Sequence, residues 1–329
     1  MKKSFFKKSM FSFCILFLGI SVLFAGGVKD ASSSEKNGKL TVVTTIFPEY
    51  DWVKNIAGDK INLTLLMDQG TDMHSWQPSS ADIVKVSSAD IFIYVGGESD
   101  KWVPGALSNS VNKKQIAINL MEVLKDTIRG EEVVEGMQAE EEESESESDE
   151  IEYDEHVWLS VRNAKAICKN ITETLCSIDS VNAQFYRSNS EDYLKKLNIL
   201  DEDYTDAVKT ASRQVVLFGD RFPFRYLVDD YNITYYAAFA GCSAETEASF
   251  KTITFLVSKV DELNLPAVLV LENSNKKIAD TIIQNTKKKN QEILVLDSMQ
   301  STTRKQLADG KNYLGIMADN LAALKKALN

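Results

Sequence analysis

Histidine is scarce in this 329-residue chain: it occurs twice, each time in company that could do chemistry. His74 lies in Gly70-Thr71-Asp72-Met73-His74-Ser75-Trp76-Gln77-Pro78-Ser79, and His156 in Tyr153-Asp154-Glu155-His156-Val157-Trp158-Leu159-Ser160. Both stretches are loop-like, and in both a Trp follows the His by two residues. Imidazole is a metal ligand and a proton carrier, and also a common structural side chain. Two carboxylates join them as candidates. Asp220 follows the apolar run 215–219 and Asp297 the run 293–296. Open α/β sheets place their ligands at the carboxyl ends of strands, although Asp serves there equally as a turn or N-cap residue. Other chemistries lack their residues: the chain has no His-Glu-x-x-His, and Gly96-Gly97 lacks the Lys and the spacing of a phosphate-binding loop.

The elements that must position these residues alternate. Short β-branched runs at 40–47, 61–67, 91–95, 215–218, 234–239, 267–271 and 292–296 suit parallel strands covered on both faces. Helical patterns lie between them, for instance one capped by Ser79-Ser80-Ala81-Asp82 and one from Ser249 to Leu263. This alternation predicts an α/β fold. One segment breaks the rhythm. Residues 181–212 contain no Pro or Gly and repeat apolar side chains at Tyr186, Tyr193, Leu194, Leu197, Leu200, Tyr204, Ala207, Val208 and Ala211, which is helical spacing over about eight turns. Such a helix is ~45 Å long, more than a crossover within one sheet needs. It reads as a spine joining an N-terminal lobe over 39–180 to a C-terminal lobe over 213–329, with a two-helix surface excursion as the alternative.

Charge and targeting signals set the compartment. A basic head, a short apolar body over 11–24 and a small-residue exit at Ala25-Gly26-Gly27 predict a signal peptide over 1–25; a retained anchor is the alternative. A polar tether follows over 26–38. Cys14 lies inside the apolar body, so a lipid-anchored N-terminus is not expected, and the mature protein is expected in the periplasm or on the outer face of the cytoplasmic membrane. Cys168, Cys176 and Cys242 would then meet an oxidising compartment, and their odd number leaves at least one free. On one helix, Cys168 and Cys176 stand ~12 Å apart, too far for a disulfide. The net charge of −11 is concentrated in 131–155, which holds fourteen acidic residues and no Lys or Arg. Without the leader's four lysines and that run it is −1. No basic stripe remains for nucleic acid, and the acidic run is expected to be a disordered loop.

Several motifs carry a resemblance. Asp72-x-His74-x-Trp76-x-Pro78-Ser79-x-x-Asp82, Val95-Gly96-Gly97-Glu98-Ser99-Asp100-Lys101-Trp102, His156-Val157-Trp158-Leu159-Ser160, Leu296-Asp297-Ser298-Met299 and Gly310-Lys311-Asn312-Tyr313-Leu314-Gly315-Ile316-Met317 together look like the zinc- and manganese-binding solute receptors of ABC importers, in order from Lys39 to the C-terminus. The resemblance implies two α/β lobes with mostly parallel sheets, one long rigid helix between them and a metal in the interlobe cleft. It implies His74 and His156 as ligands from the first lobe and Asp297 as a carboxylate from the second. It also implies partners, a permease and its ATPase, with membrane contact only through them or an uncleaved signal. The Trp residues near the motifs are expected to shape the cleft walls.

At the third ligand the chain departs from that pattern. Where such receptors have His or Glu, Phe218-Gly219-Asp220-Arg221-Phe222 puts a glycine. Asp220 is the nearest substitute; Glu272, Cys242 and Glu245 are rivals. Two His with carboxylates suit Zn2+ and serve Mn2+ as well. The expected function is therefore a zinc receptor and not an enzyme, with manganese or iron as the alternative cargo, and with a surface adhesin, a metal buffer or a zinc hydrolase as other classes. A hydrolase would need a base beside a metal-bound water, and both histidines are already ligands.

Overall fold

The computed structural model describes residues 38–138, 152–243 and 247–329. The signal peptide over 1–25, nearly all of the tether over 26–38, residues 139–151 of the acidic run and Glu245 lie outside the described residues. No helix among the described residues is long and apolar enough to cross a membrane.

The first lobe runs β1 (Leu40–Thr44), α1 (Phe47–Ala57), β2 (Ile61–Leu65), α2 (Ser80–Ser88), β3 (Ile91–Tyr94), α3 (Val103–Ser108), β4 (Ile116–Asn119) and α4 (Leu120–Val123). Its sheet is fully parallel in the order β2-β1-β3-β4. Two helices follow, α5 (Val161–Ile178) and α6 (Ala183–Thr210). The second lobe continues with β5 (Val215–Phe222), α7 (Arg225–Tyr231), β6 (Thr234–Ala240), α8 (Phe250–Glu262), β7 (Ala267–Leu271), α9 (Lys277–Asn285), β8 (Glu292–Leu296), α10 (Arg304–Ala308) and α11 (Tyr313–Ala327). Its sheet is again parallel, ordered β6-β5-β7-β8. The fold is therefore two α/β lobes with parallel sheets, linked by α5 and α6.

Local chemistry explains the boundaries. Ser79 accepts from the Asp82 N–H while the Asp82 carboxylate accepts from the Ser79 N–H, a reciprocal cap that starts α2. Ser249 caps α8 in the simpler way, through the Thr252 N–H. In α6, Tyr186, Ser190, Tyr193, Leu197, Leu200, Tyr204 and Ala207 are buried at alternating spacings of four and three, with Val208 beside them, so one stripe faces inward. That stripe packs on α5, α1 and α11.

Two expectations need correcting. Strand β4 was not foreseen, because four residues with Ala117 exposed carry too little pattern to stand out. Residues 131–138 and 152–155, expected within a disordered acidic loop, are tied into the fold. Met137 is buried in the core, the Glu131 N–H donates to the Glu152 carbonyl at 2.8 Å, and Gln138 bridges to Phe239 at the end of β6.

The apolar core is continuous across the lobes, running from Trp52 and Val42 of the first to Phe218 and Tyr313 of the second. Polar bonds inside it fix the junction. The Trp158 indole N–H donates to the Ser298 carbonyl at 2.9 Å, the Tyr313 hydroxyl to the Trp158 carbonyl at 2.8 Å, and the Tyr313 N–H to Asp51 at 3.1 Å. Cys168 and Cys176 both lie on α5, buried and free.

Candidate metal centre

The loop after β2 presents His74 on a single tight turn, Met73–Ser75. Met73 is buried and anchors the turn, while Asp72 caps it by accepting the His74 N–H at 3.1 Å. The other Asp72 oxygen pairs with Arg221 of β5 at 2.6 Å. His156 opens a similar turn ahead of α5 and is fully buried. One oxygen of Asp154 accepts both the His156 N–H, at 2.8 Å, and its Nδ1–H, at 2.9 Å. The ring is thereby fixed with Nε2 free to face inward.

The two rings meet at those inward atoms, His74 Nε2 to His156 Nε2 at 3.1 Å. Two nitrogens on one tetrahedral zinc, each at ~2.0–2.1 Å, stand roughly 3.3–3.4 Å apart. The pair is therefore close to the spacing a shared ion requires. On the far side, His74 Nδ1 lies 3.1 Å from the Ser99 hydroxyl, whose own N–H donates to Glu155 at 2.9 Å. Gly97, at φ 74°, makes this possible, because a Cβ there would run into the Glu155 carboxylate. The paired glycines of the sequence thus bring a backbone up against an acid.

Electrostatics separates the two imidazoles. Burial first, then the proximity of His156, pushes His74 down to about 3, so it offers a lone pair at any physiological pH. Burial also opposes charge on His156, but the Asp154 carboxylate, by charge and hydrogen bond, outweighs it and raises that ring. A proton held by His156 can bridge the two Nε2 atoms, and a metal ion would have to displace it.

Among the described residues, the His, Cys, Asp and Glu side chains whose ligand atoms come within 4.8 Å of one another are His74, His156 and Cys242. Cys242 sits in the turn after β6, its N–H donating to Glu131 at 3.2 Å. Burial first, then the charges of Glu131, Asp154 and Glu155, push its thiol far up. It shares with His74, Asp220 and Arg221 a cavity of about 480 Å3.

The other expected ligands are placed differently. Asp220 is on this cavity, but its carboxylate accepts the Arg221 N–H at 2.9 Å and the Leu271 N–H at 3.3 Å. Asp297 accepts the Met299 N–H at 2.8 Å and pairs with Lys311 at 2.7 Å. Glu272 accepts the N–H and the hydroxyl of Ser298, each at 2.9 Å. Strand β5 also runs on past its expected end at 218, with a register shift between Phe218 and Arg221 that places Gly219 and Asp220 in a bulge. Sequence reasoning passed over Asp154, Ser99 and Arg221, which hold the imidazoles or their neighbours. Asp154, two residues before a ligand candidate, was the one with a readable signal.

Two parallel-sheeted α/β lobes, long connecting helices and a pair of facing imidazoles, one fully buried and one partly so, define a two-lobed metal receptor. The family described as zinc-uptake complex component A, periplasmic (ZnuA), matches residues 42–327, and the chain belongs to it. It is thus a component of metal uptake, not an enzyme. The chain is 31% identical over 299 residues to the high-affinity zinc uptake system protein ZnuA of Bacillus subtilis (strain 168), covering 90% of each. The solved Zn(II)-bound ZnuA-like domain of Streptococcus pneumoniae AdcA superposes with a TM-score of 0.69 at 27% identity, over 88% of this chain and 99% of that one. Against the whole lipoprotein AdcA of Streptococcus pneumoniae serotype 4, this chain spans 59% of its length. The laminin-binding adhesin of Streptococcus agalactiae shares the fold, with a TM-score of 0.72 at 22% identity.

Proposed function

We propose that the protein captures Zn2+ between His74 and His156 and presents it to the permease of an ABC importer driven by a separate ATPase. The observation that carries this reading is the 3.1 Å approach of the two Nε2 atoms, each aimed by a hydrogen bond at its own Nδ1. Two nitrogens held near ligand spacing around one shared proton are well matched to a cation that takes the proton's place. The zinc-binding relatives support zinc as the cargo, and Mn2+ is the competitor to test. Asp297 can join the shell by exchanging Lys311 for the metal, which would couple the second lobe to occupancy.

Competitive titration of the purified protein against a zinc chelator tests the proposal. It should bind one tight Zn2+, and His74→Ala or His156→Ala should abolish most of that affinity. Unaltered stoichiometric binding in both variants would sink the reading. Asp297→Asn should weaken binding less than either, since its carboxylate must first leave Lys311.

A further inference from the structure

We infer that Cys242, as a thiolate, is the third metal ligand, replacing the side chain that Gly219 cannot provide, and that the resulting two-imidazole, one-thiolate set selects zinc over manganese. This rests on the reading that His74 and His156 hold the metal.

Geometry excludes the slot on β5. A Cβ on Gly219 would stand 2.9 Å from the Ala279 Cα and 3.0 Å from its Cβ, so α9 packs flat against the strand where a ligand would otherwise project. The neighbouring Asp220 spends its two oxygens on the N–H groups of Arg221 and Leu271, which hold the bulge in place. The turn after β6 approaches from the other side. A Cβ on Gly241 would lie 2.9 Å from the Phe222 carbonyl oxygen and 3.1 Å from His156 Cε1. Glycine at that position lets the chain close onto the imidazole. The next residue is Cys242, whose Sγ falls within 4.8 Å of ligand nitrogens on both His74 and His156. Its backbone is tied to Glu131, so the approach is held from behind as well. Cys168 and Cys176 are buried on α5 and do not compete.

The chemistry follows from the donor. As the metal arrives, the S–H bond breaks, its proton leaves to solvent and an S–metal bond forms, with no change of oxidation state. A soft thiolate favours zinc and disfavours manganese, which prefers oxygen donors and higher coordination. Three protein ligands leave a fourth position, the one that Asp297 can take when it exchanges Lys311 for the metal.

Cobalt(II) is the probe, since thiolate ligation gives it an intense near-ultraviolet charge-transfer band that imidazole and carboxylate do not. The cobalt-loaded protein should show this band, and Cys242→Ser and Cys242→Ala should lose it. Zinc affinity in Cys242→Ala should fall by more than the ~10–100-fold that loss of an outer-shell partner brings, while manganese affinity changes little. In the unaltered protein, Zn2+ should block iodoacetamide labelling of Cys242, which needs no variant to fold. A charge-transfer band that survives in Cys242→Ser, or labelling indifferent to zinc, would overturn the inference. Zinc binding lost in the histidine variants but intact in Cys242→Ala would refute the thiolate and leave the receptor standing; binding intact in the histidine variants would refute the receptor itself.

Discussion

One oxygen atom orients His156. Because Asp154 Oδ1 accepts both the backbone N–H and Nδ1–H of that residue, it fixes the tautomer and the ring plane together. Asp154→Ala should therefore cost about 10–100-fold in zinc affinity, measured by chelator competition, with Asp154→Asn costing less because its amide oxygen can still accept. Gly219→His asks the converse question by placing an imidazole where the family pattern has one. With Ala279 only 2.9 Å from the new Cβ, the substitution overpacks β5 against α9 and should destabilise the fold by about 1–3 kcal/mol in denaturant melts without restoring zinc to Cys242→Ala. His74 and His156 were legible in the sequence through their rarity and their shared Trp spacing. Cys242 was legible only as one of several rivals, because its nearness to residues 74 and 156 is a property of three loops far apart in the chain and leaves no periodicity in it.

At the level of elements, the start of α1 holds a fully buried acid. Glu49 Oε2 accepts from the Thr45 N–H at 2.9 Å, the Thr45 hydroxyl at 3.1 Å and the Ile46 N–H at 3.3 Å, while Oε1 is buried without a partner. Burial first, then the charge of Asp100, raises its pKa from 4.5 to about 8. A carboxyl raised on folding binds more protons in the native state than in the unfolded one, so its contribution is fully present below pH 4.5 and is lost as pH rises to about 8. Thermal melts should show stability eroding across that window at up to ~1.4 kcal/mol per pH unit. Glu49→Gln keeps an acceptor for the three donors and should flatten the slope; an unchanged slope would assign it to other groups. The alternation of strands and helices was legible because parallel strands buried on both faces are near-continuous apolar runs. The stripe of α6 was legible for the same kind of reason, its buried residues recurring every three or four positions over Ala183–Thr210. Strand β4 was too short to register, and the extension of β5 through Gly219 was hidden by a residue type that usually ends strands.

Over the whole molecule, the acidic charge has a definite address. Both described ends of the acidic run pair within a few residues, along the chain, of the candidate ligands. Gln138 pairs beside Phe239, three residues before Cys242, and at the other end Gly130 bridges to Tyr153, three residues before His156. Residues 139–151, between those ends, carry eight acidic side chains and no Lys or Arg. Charge between two such ends is expected to raise the local cation concentration by electrostatic focusing, which would speed capture more than tighten it. Replacing the acidic residues within 139–151 by Ser and Asn should lower the association rate of Zn2+ several-fold at low ionic strength and leave the dissociation rate unchanged. The difference should vanish near 1 M salt, where the screening length falls to ~3 Å from ~10 Å at 0.1 M. Stopped-flow mixing with a fluorescent zinc indicator separates the two rates. If the dissociation rate rises instead, and does so independently of salt, the run is a ligand to the captured ion rather than a funnel toward it.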